Sequence, residues 1–104
     1  MFAFRTTWIV KQGKMQEALE LISAGVQRGM EAGKPKGAVR VCIYTPYHSP
    51  QELVYEEVWE SVEQHDAWWN AYWSSPEGET LYEKLYELVD RATSSFVWKV
   101  EFWQ

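Results

Sequence analysis

Cysteine is almost absent from this chain. Cys42 stands alone inside an apolar run, so neither an intrachain disulfide framework nor a multi-thiolate metal centre can be built, and a reducing compartment fits. Histidine is nearly as scarce. His48 and His65 are far apart and show no metal-ligand spacing, so no metal and no cofactor is expected. Positive charge is thin as well: ten basic residues against fifteen acidic ones leave a net charge of −5, and only Lys34, Lys36 and Arg40 group loosely. That balance makes nucleic acid and anionic membranes poor partners. No apolar run approaches the roughly 20 residues that span a bilayer. The opening MFAFRTTWIV lacks the basic region and cleavage site of a secretory signal, so a cytoplasmic location is expected. Glycine-rich phosphate loops and nucleophile elbows are missing too.

What the chain has in excess is tryptophan, seven in 104 residues, and that much aromatic surface must be buried somewhere. The length suits one domain, residues 1–104, with a single modest core.

The stretch that organises the rest is VYEEVWESVEQHDAWWNAYW, Val54 to Trp73. Its first part alternates, with Tyr55, Glu57 and Trp59 on one face and Val54, Glu56 and Val58 on the other, which is the period of a strand. Ser61 followed three residues later by Gln64 is the spacing of a capping box and starts a helix. On that helix Val62, His65, Trp68, Trp69, Tyr72 and Trp73 share one arc, while Glu63, Ala67, Asn70 and Ala71 lie opposite. One wall of the helix is aromatic.

Phe2 to Val10 alternates aromatic and β-branched residues as a first strand, closed by Gly13. Met15, Ala18, Leu19, Ile22, Val26 and Met30 then step by three and four, the pattern of an amphipathic helix ending near Gly29 or Gly33. A loop over residues 33–37 leads to a second strand, Ala38 to Tyr47. A proline-containing turn makes it a hairpin with the third strand. After the aromatic helix, Ser74 or Ser75 caps a new helical piece opened by Pro76, in which Leu81, Leu85, Leu88 and Ala92 keep helical spacing and Glu87 supports Arg91. Thr93 to Ser95 end it, and Phe96 to Trp103 alternates as the last strand.

The order strand, helix, strand, strand, helix in two pieces, strand is the βαββαβ arrangement of a ferredoxin-like α+β fold, a four-stranded antiparallel sheet with helices on one face. Both faces of the sheet read as apolar, with Ile9, Val54, Val58, Val97 and Trp103 opposite the face of Trp8, Trp59, Trp98 and Phe102. A face of that kind left bare would be a large apolar patch. Its simplest cover is the same face of a second copy, which gives a homodimeric α/β barrel.

The chain resembles the dimeric α/β-barrel proteins of the antibiotic-biosynthesis-monooxygenase and NIPSNAP-like group. The resemblance rests on the element order, on Val10-Lys11-Gln12-Gly13-Lys14, on Glu57-Val58-Trp59-Glu60-Ser61 followed by His65, Ala67 and Trp68, and on Ser75-Pro76-Glu77. It implies cofactor-independent oxygenase chemistry as one outcome and a protein without enzymatic activity as another. The group's haem-degrading members imply an Asn, a Trp and a haem-ligating His at the positions of Thr6, Trp68 and Gly78. Only the Trp is present, and glycine has no side chain to ligate iron, so haem degradation is disfavoured.

Two functional readings follow. In the first, a homodimer holds a flat aromatic or apolar small molecule against Trp59, Trp68, Trp69, Tyr72 and Thr6, with His65 as a proton acceptor. In the second, the chain is a non-enzymatic dimerisation module whose aromatic residues are core, with His65 hydrogen-bonded to a carboxylate such as Glu57. Glu56, Glu57 and Glu60 are weaker candidates for a general base. Arg5 and Arg40 are expected to pair with strand glutamates across the sheet.

Overall fold

The computed structural model describes residues 1–32, 36–72, 74–92 and 96–99. Strand β1 (Phe2–Val10) leads to helix α1 (Met15–Ala32), and the hairpin β2 (Ala38–Tyr44) and β3 (Glu52–Trp59) leads to α2 (Val62–Tyr72) and α3 (Pro76–Leu88). Two short strands follow, β4 (Val89–Ala92) and β5 (Phe96–Lys99). Gly13, at φ +79°, makes the turn between β1 and α1, a backbone conformation that other residues adopt only with strain.

All the strand pairs are antiparallel. One edge of β1 carries β3, from Phe2 opposite Trp59 to Ile9 opposite Glu52. The other edge carries β4 beside Trp8 to Val10 and β5 beside Phe2 to Arg5, so β4 and β5 occupy one strand position between them. With β2 beyond β3, the sheet has four positions in the order β2, β3, β1, β4/β5. This is the four-stranded ferredoxin-like sheet that the element order predicts.

Two boundaries and one register differ from expectation, the first being that the second strand ends at Tyr44 rather than Tyr47. The second helical piece stops at Leu88, and Val89 to Ala92 is strand, so Ala92 does not continue the helical row and Arg91 is not on a helix with Glu87. Val89 is β-branched and buried, and its backbone pairs with Val10; that pairing overrides a leucine spacing that would have allowed another turn. Register also pairs Ala3 with Trp98 and Phe4 with Val97, which puts the Trp98 position opposite the Val58 row and the Val97 position opposite the Glu57 row, the reverse of the expected assignment. The expected loop positions 33–35, Trp73, the helix-ending residues 93–95 and the end of the last strand, 100–104, lie outside the described residues.

The core lies between the sheet and the helices. Trp8, Val10, Leu53 and Tyr55 from the central strands meet Ala18 and Ile22 of α1, Leu85 of α3 and Val89. Burying an aliphatic side chain of this kind contributes about 1.5–3 kcal/mol. Gly29 matters to this packing: a Cβ there would come within 2.9 Å of both the Trp68 and the Tyr72 rings, so α1 lacks a side chain where the aromatic wall of α2 rests on it.

The face away from the helices carries Ala3, Val54 and Val58, and in a single chain these are only 4, 4 and 1% exposed. The expected bare apolar face is therefore partly covered already. Its polar centre is Glu56, which accepts from Arg5 Nε at 2.8 Å and from Arg40 Nη2 at 3.4 Å, the cross-strand pairing expected for these arginines.

Candidate functional site

Helix α2 begins as its sequence dictates. The Gln64 N–H donates to Ser61 Oγ at 3.2 Å, but the Gln64 side-chain carbonyl accepts from the Ser61 hydroxyl at 2.9 Å rather than from the Ser61 backbone. A single turn later His65 is aimed at the sheet. Its ring lies flat on Phe4, with centroids 3.6 Å apart and planes 7° apart, and meets Trp59 edge-on at 5.7 Å and Trp69 at 5.8 Å. Nδ1 is 3.0 Å from Asp66 Oδ1, so His65 has the carboxylate partner expected of it, with Asp66 in the place of Glu57. A carboxylate only accepts, so this contact assigns a proton to Nδ1, and in the neutral ring the lone pair is then on Nε2, the arrangement of a proton acceptor.

Next to His65 the sheet and α2 enclose a cleft of about 280 Å³, lined by Phe4, Thr6, Tyr55, Glu57, His65, Asp66 and Trp69. Its walls are aromatic, and no Lys or Arg lines it among the described residues. The size and the few convergent polar groups are those of a small-molecule site.

Glu57 is the unusual member. It is 1% exposed, on the helix-facing side of β3, between Phe4 of β1 and Val41 of β2 in register. Its carboxyl accepts from Trp59 Nε1 at 3.1 Å and meets the hydroxyl of Tyr55. Burial pushes its pKa up from the ordinary 4.5; the bonds from Tyr55 and Trp59 and the nearness of His65 oppose the rise without cancelling it. Burial likewise raises the Tyr55 hydroxyl well above its usual value, with the Glu57 charge adding to the effect. Tyr82 of α3 is raised by burial and then by Glu57.

The structure brings three of the six sequence-predicted site residues, His65, Trp69 and Thr6, to this cleft. The other three sit elsewhere. Trp59 is wholly buried behind His65 and holds Glu57. Trp68 packs on Trp59 at 5.6 Å and on Tyr72 at 5.8 Å, turned toward Gly29. The Tyr72 hydroxyl donates to Gly25 O at 2.9 Å, beside a separate groove of about 160 Å³ between α1 and α3. Phe4 and Asp66 line the cleft without having been singled out from the sequence, and so do Tyr55 and Glu57, the latter expected only as a weaker candidate for a general base. The signal for Tyr55 and Glu57 was present, because a glutamate between Tyr55 and Trp59 on one strand face is a carboxyl on an apolar face. His48 is exposed and meets only Tyr47 edge-on among the rings.

The three positions that haem degradation would need are not assembled at the cleft. Thr6 lines it, Trp68 packs away from it, and Gly78 lies in the first turn of α3, where its N–H donates to the cap Ser75 Oγ. These residues do not fit haem ligation. Among the described residues no group of three His, Cys, Asp or Glu is placed to hold a metal ion, and no helix is long and apolar enough to cross a membrane.

No family model and no curated protein matches the sequence. Solved structures do match the fold along nearly the whole chain. A conserved protein from Methanosarcina mazei Go1 is similar at a TM-score of 0.77 and 19% identity, covering 96% of this chain and 92% of that one. An uncharacterized NIPSNAP domain protein from Burkholderia xenovorans matches at a TM-score of 0.75 and 13% identity, over 97% and 95% of the two chains. An antibiotic biosynthesis monooxygenase matches at 0.72 and 12%, over 97% and 99%. The chain has the antibiotic-biosynthesis-monooxygenase and NIPSNAP-like fold. One fold hosts many chemistries, so the cleft and not the likeness must carry any function.

Proposed function

We propose that the chain is one domain of a cytoplasmic homodimer that binds a flat aromatic or apolar small molecule in the cleft beneath α2 and acts on it as a cofactor-independent monooxygenase. The observation that carries this reading is the cleft of about 280 Å³ in which His65 lies flat on Phe4 with Trp69 beside it. Stacked rings hold a planar ligand and exclude water, and His65, oriented by Asp66, takes a proton from it. The electron-rich anion left behind is the species that reacts with dioxygen. The second copy of the chain packs on the part of the helix-free face that a single chain leaves exposed, around Arg40 and Tyr44 of β2.

Titration with quinols while following tryptophan fluorescence tests the binding step, with quenching expected; no response to any of them overturns the reading. Loss of dioxygen uptake in His65→Gln with retained quenching supports the proton acceptor. Sedimentation at micromolar concentration tests the dimer, and a folded monomer there removes it. The burial of Trp59 and the packing of Trp68 against Gly29 favour the non-enzymatic reading for those two residues, and a substantial stability loss in Trp68→Ala identifies a core role.

A further inference from the structure

We propose that Glu57 acts in the cleft as a neutral hydrogen-bond donor, and that the ligand is an uncharged planar molecule bearing an acceptor oxygen of the carbonyl type. The inference rests on the cleft being a ligand site, and it adds which ligand and which residue reads it.

Three features of the site lead there. The Glu57 side chain reaches the cleft from a position flanked by Phe4 and Val41, with 1% exposure, so an ionised carboxylate has almost no water around it. No Lys or Arg lines the cleft among the described residues, so an anionic ligand meets no permanent cation there. The third feature is the bond from Trp59. An indole N–H can only donate, so its contact with Glu57 Oε1 at 3.1 Å marks that oxygen as the carbonyl end of the carboxyl. In the protonated carboxyl the proton then belongs on Oε2, where a ligand oxygen competes for it with the Tyr55 hydroxyl that also meets this carboxyl.

The titratable groups facing Glu57 are Tyr55 on its own strand, His65 on α2 and Tyr82 on α3. Only His65 among them can carry positive charge, and when its lone pair accepts a ligand proton the buried carboxyl remains the neutral partner for the ligand's oxygen. Desolvation favours the protonated acid at this position, in keeping with the geometry. A donor in an apolar pocket discriminates strongly because a ligand without the matching oxygen leaves it unpaired.

The test compares acetophenone, ethylbenzene and benzoate, which share a ring and differ in a carbonyl, its absence and a negative charge. Binding is read from the indole N–H resonances of the full chain, in the wild type and in Glu57→Gln and Glu57→Met. Expected is a preference of roughly tenfold for acetophenone over ethylbenzene, with benzoate weakest. Gln presents an N–H₂ donor where Oε2 was and keeps the preference; Met abolishes it while still binding ethylbenzene. Equal binding of acetophenone and ethylbenzene by the wild type overturns the role of Glu57 and leaves the ligand site standing. Absence of binding by all three overturns both. Loss of the preference in Glu57→Gln also overturns the proposal, because it shows that the carboxylate was the working form. Should Glu57→Met not fold, infrared spectroscopy of the wild type decides. A protonated-carboxyl band that is missing in Glu57→Gln and shifts with acetophenone but not ethylbenzene supports the proposal, and the absence of such a band defeats it.

Discussion

Glu56 and Glu57 follow one another in β3 and have the same side chain, yet the pleat sends them to opposite faces with opposite chemistry. Glu56 turns to the helix-free face and meets two guanidinium groups, one of them at 2.7 Å. Glu57 turns to the helix face and meets a phenol, an indole and an imidazole, with a raised pKa. What differs is the supply of cations. Arg5 is the register partner of Glu56 on β1 and Arg40 its diagonal neighbour on β2, whereas Phe4 and Val41 are the register partners of Glu57. A carboxylate given cations is a structural ion pair; one given hydrocarbon has its pKa raised, and perturbed acids cluster where chemistry occurs.

The largest expected effect comes from forcing a fixed charge onto each side in turn. Glu57→Lys puts an ammonium among the buried rings that bond the Glu57 carboxyl, and urea unfolding should show a loss of about 3–5 kcal/mol. Glu56→Lys places a third cation beside two arginines whose side chains still reach water, and about 1–2 kcal/mol is expected. Equal losses would erase the distinction between the faces. Next in size is Trp59→Phe, which removes the indole donor to the Glu57 carboxyl and trims a wholly buried ring; about 2 kcal/mol is expected by the same measurement.

A smaller effect is one of pH. Because the folded pKa of Glu57 lies above its ordinary 4.5, the folded state holds the proton more tightly than the unfolded chain does. The resulting stabilisation is complete below 4.5 and is lost as pH rises through the raised folded value. Thermal midpoints of the wild type, taken relative to Glu57→Gln, should therefore fall over that interval; a flat difference would mean that Glu57 is solvated. Smallest are the arginines. Arg5→Met should cost about 1 kcal/mol or less and Arg40→Met a few tenths, in the order of their distances to Glu56, because both side chains are substantially exposed. A double-mutant cycle with Glu56→Gln checks each.

Alternation made the faces of β1 and β3 readable from sequence: Phe2 to Val10 is a strand with the expected limits, and Tyr55, Glu57 and Trp59 do share a side. The depth of that side was not readable. Nothing local distinguishes a glutamate at the rim of a core from one at 1% exposure, since burial depends on α2 and α3 arriving from elsewhere in the chain. The aromatic arc of α2 was equally visible as a whole, with Trp68, Trp69 and Tyr72 all half-buried. Which ring meets the cleft turns on one step of rotation within the arc, and it is Trp69 and not Trp68. The end of α3 was misread because Leu81, Leu85 and Leu88 fit a continuing helix as well as a terminating one, and only the pairing of Val89 with β1 decides.

The missing side chain at Gly29 divides α2 into two sides that can change under different rules. Trp68 and Tyr72 are seated against it, and a methyl group at position 29 would have to displace one of those rings, so substitutions at 29, 68 and 72 should be strongly non-additive. Trp69 faces the cleft on the other side of the helix, and exchanges there should combine nearly independently with changes in that trio. A chain of this fold can therefore be given a different ligand wall without its helix being re-seated.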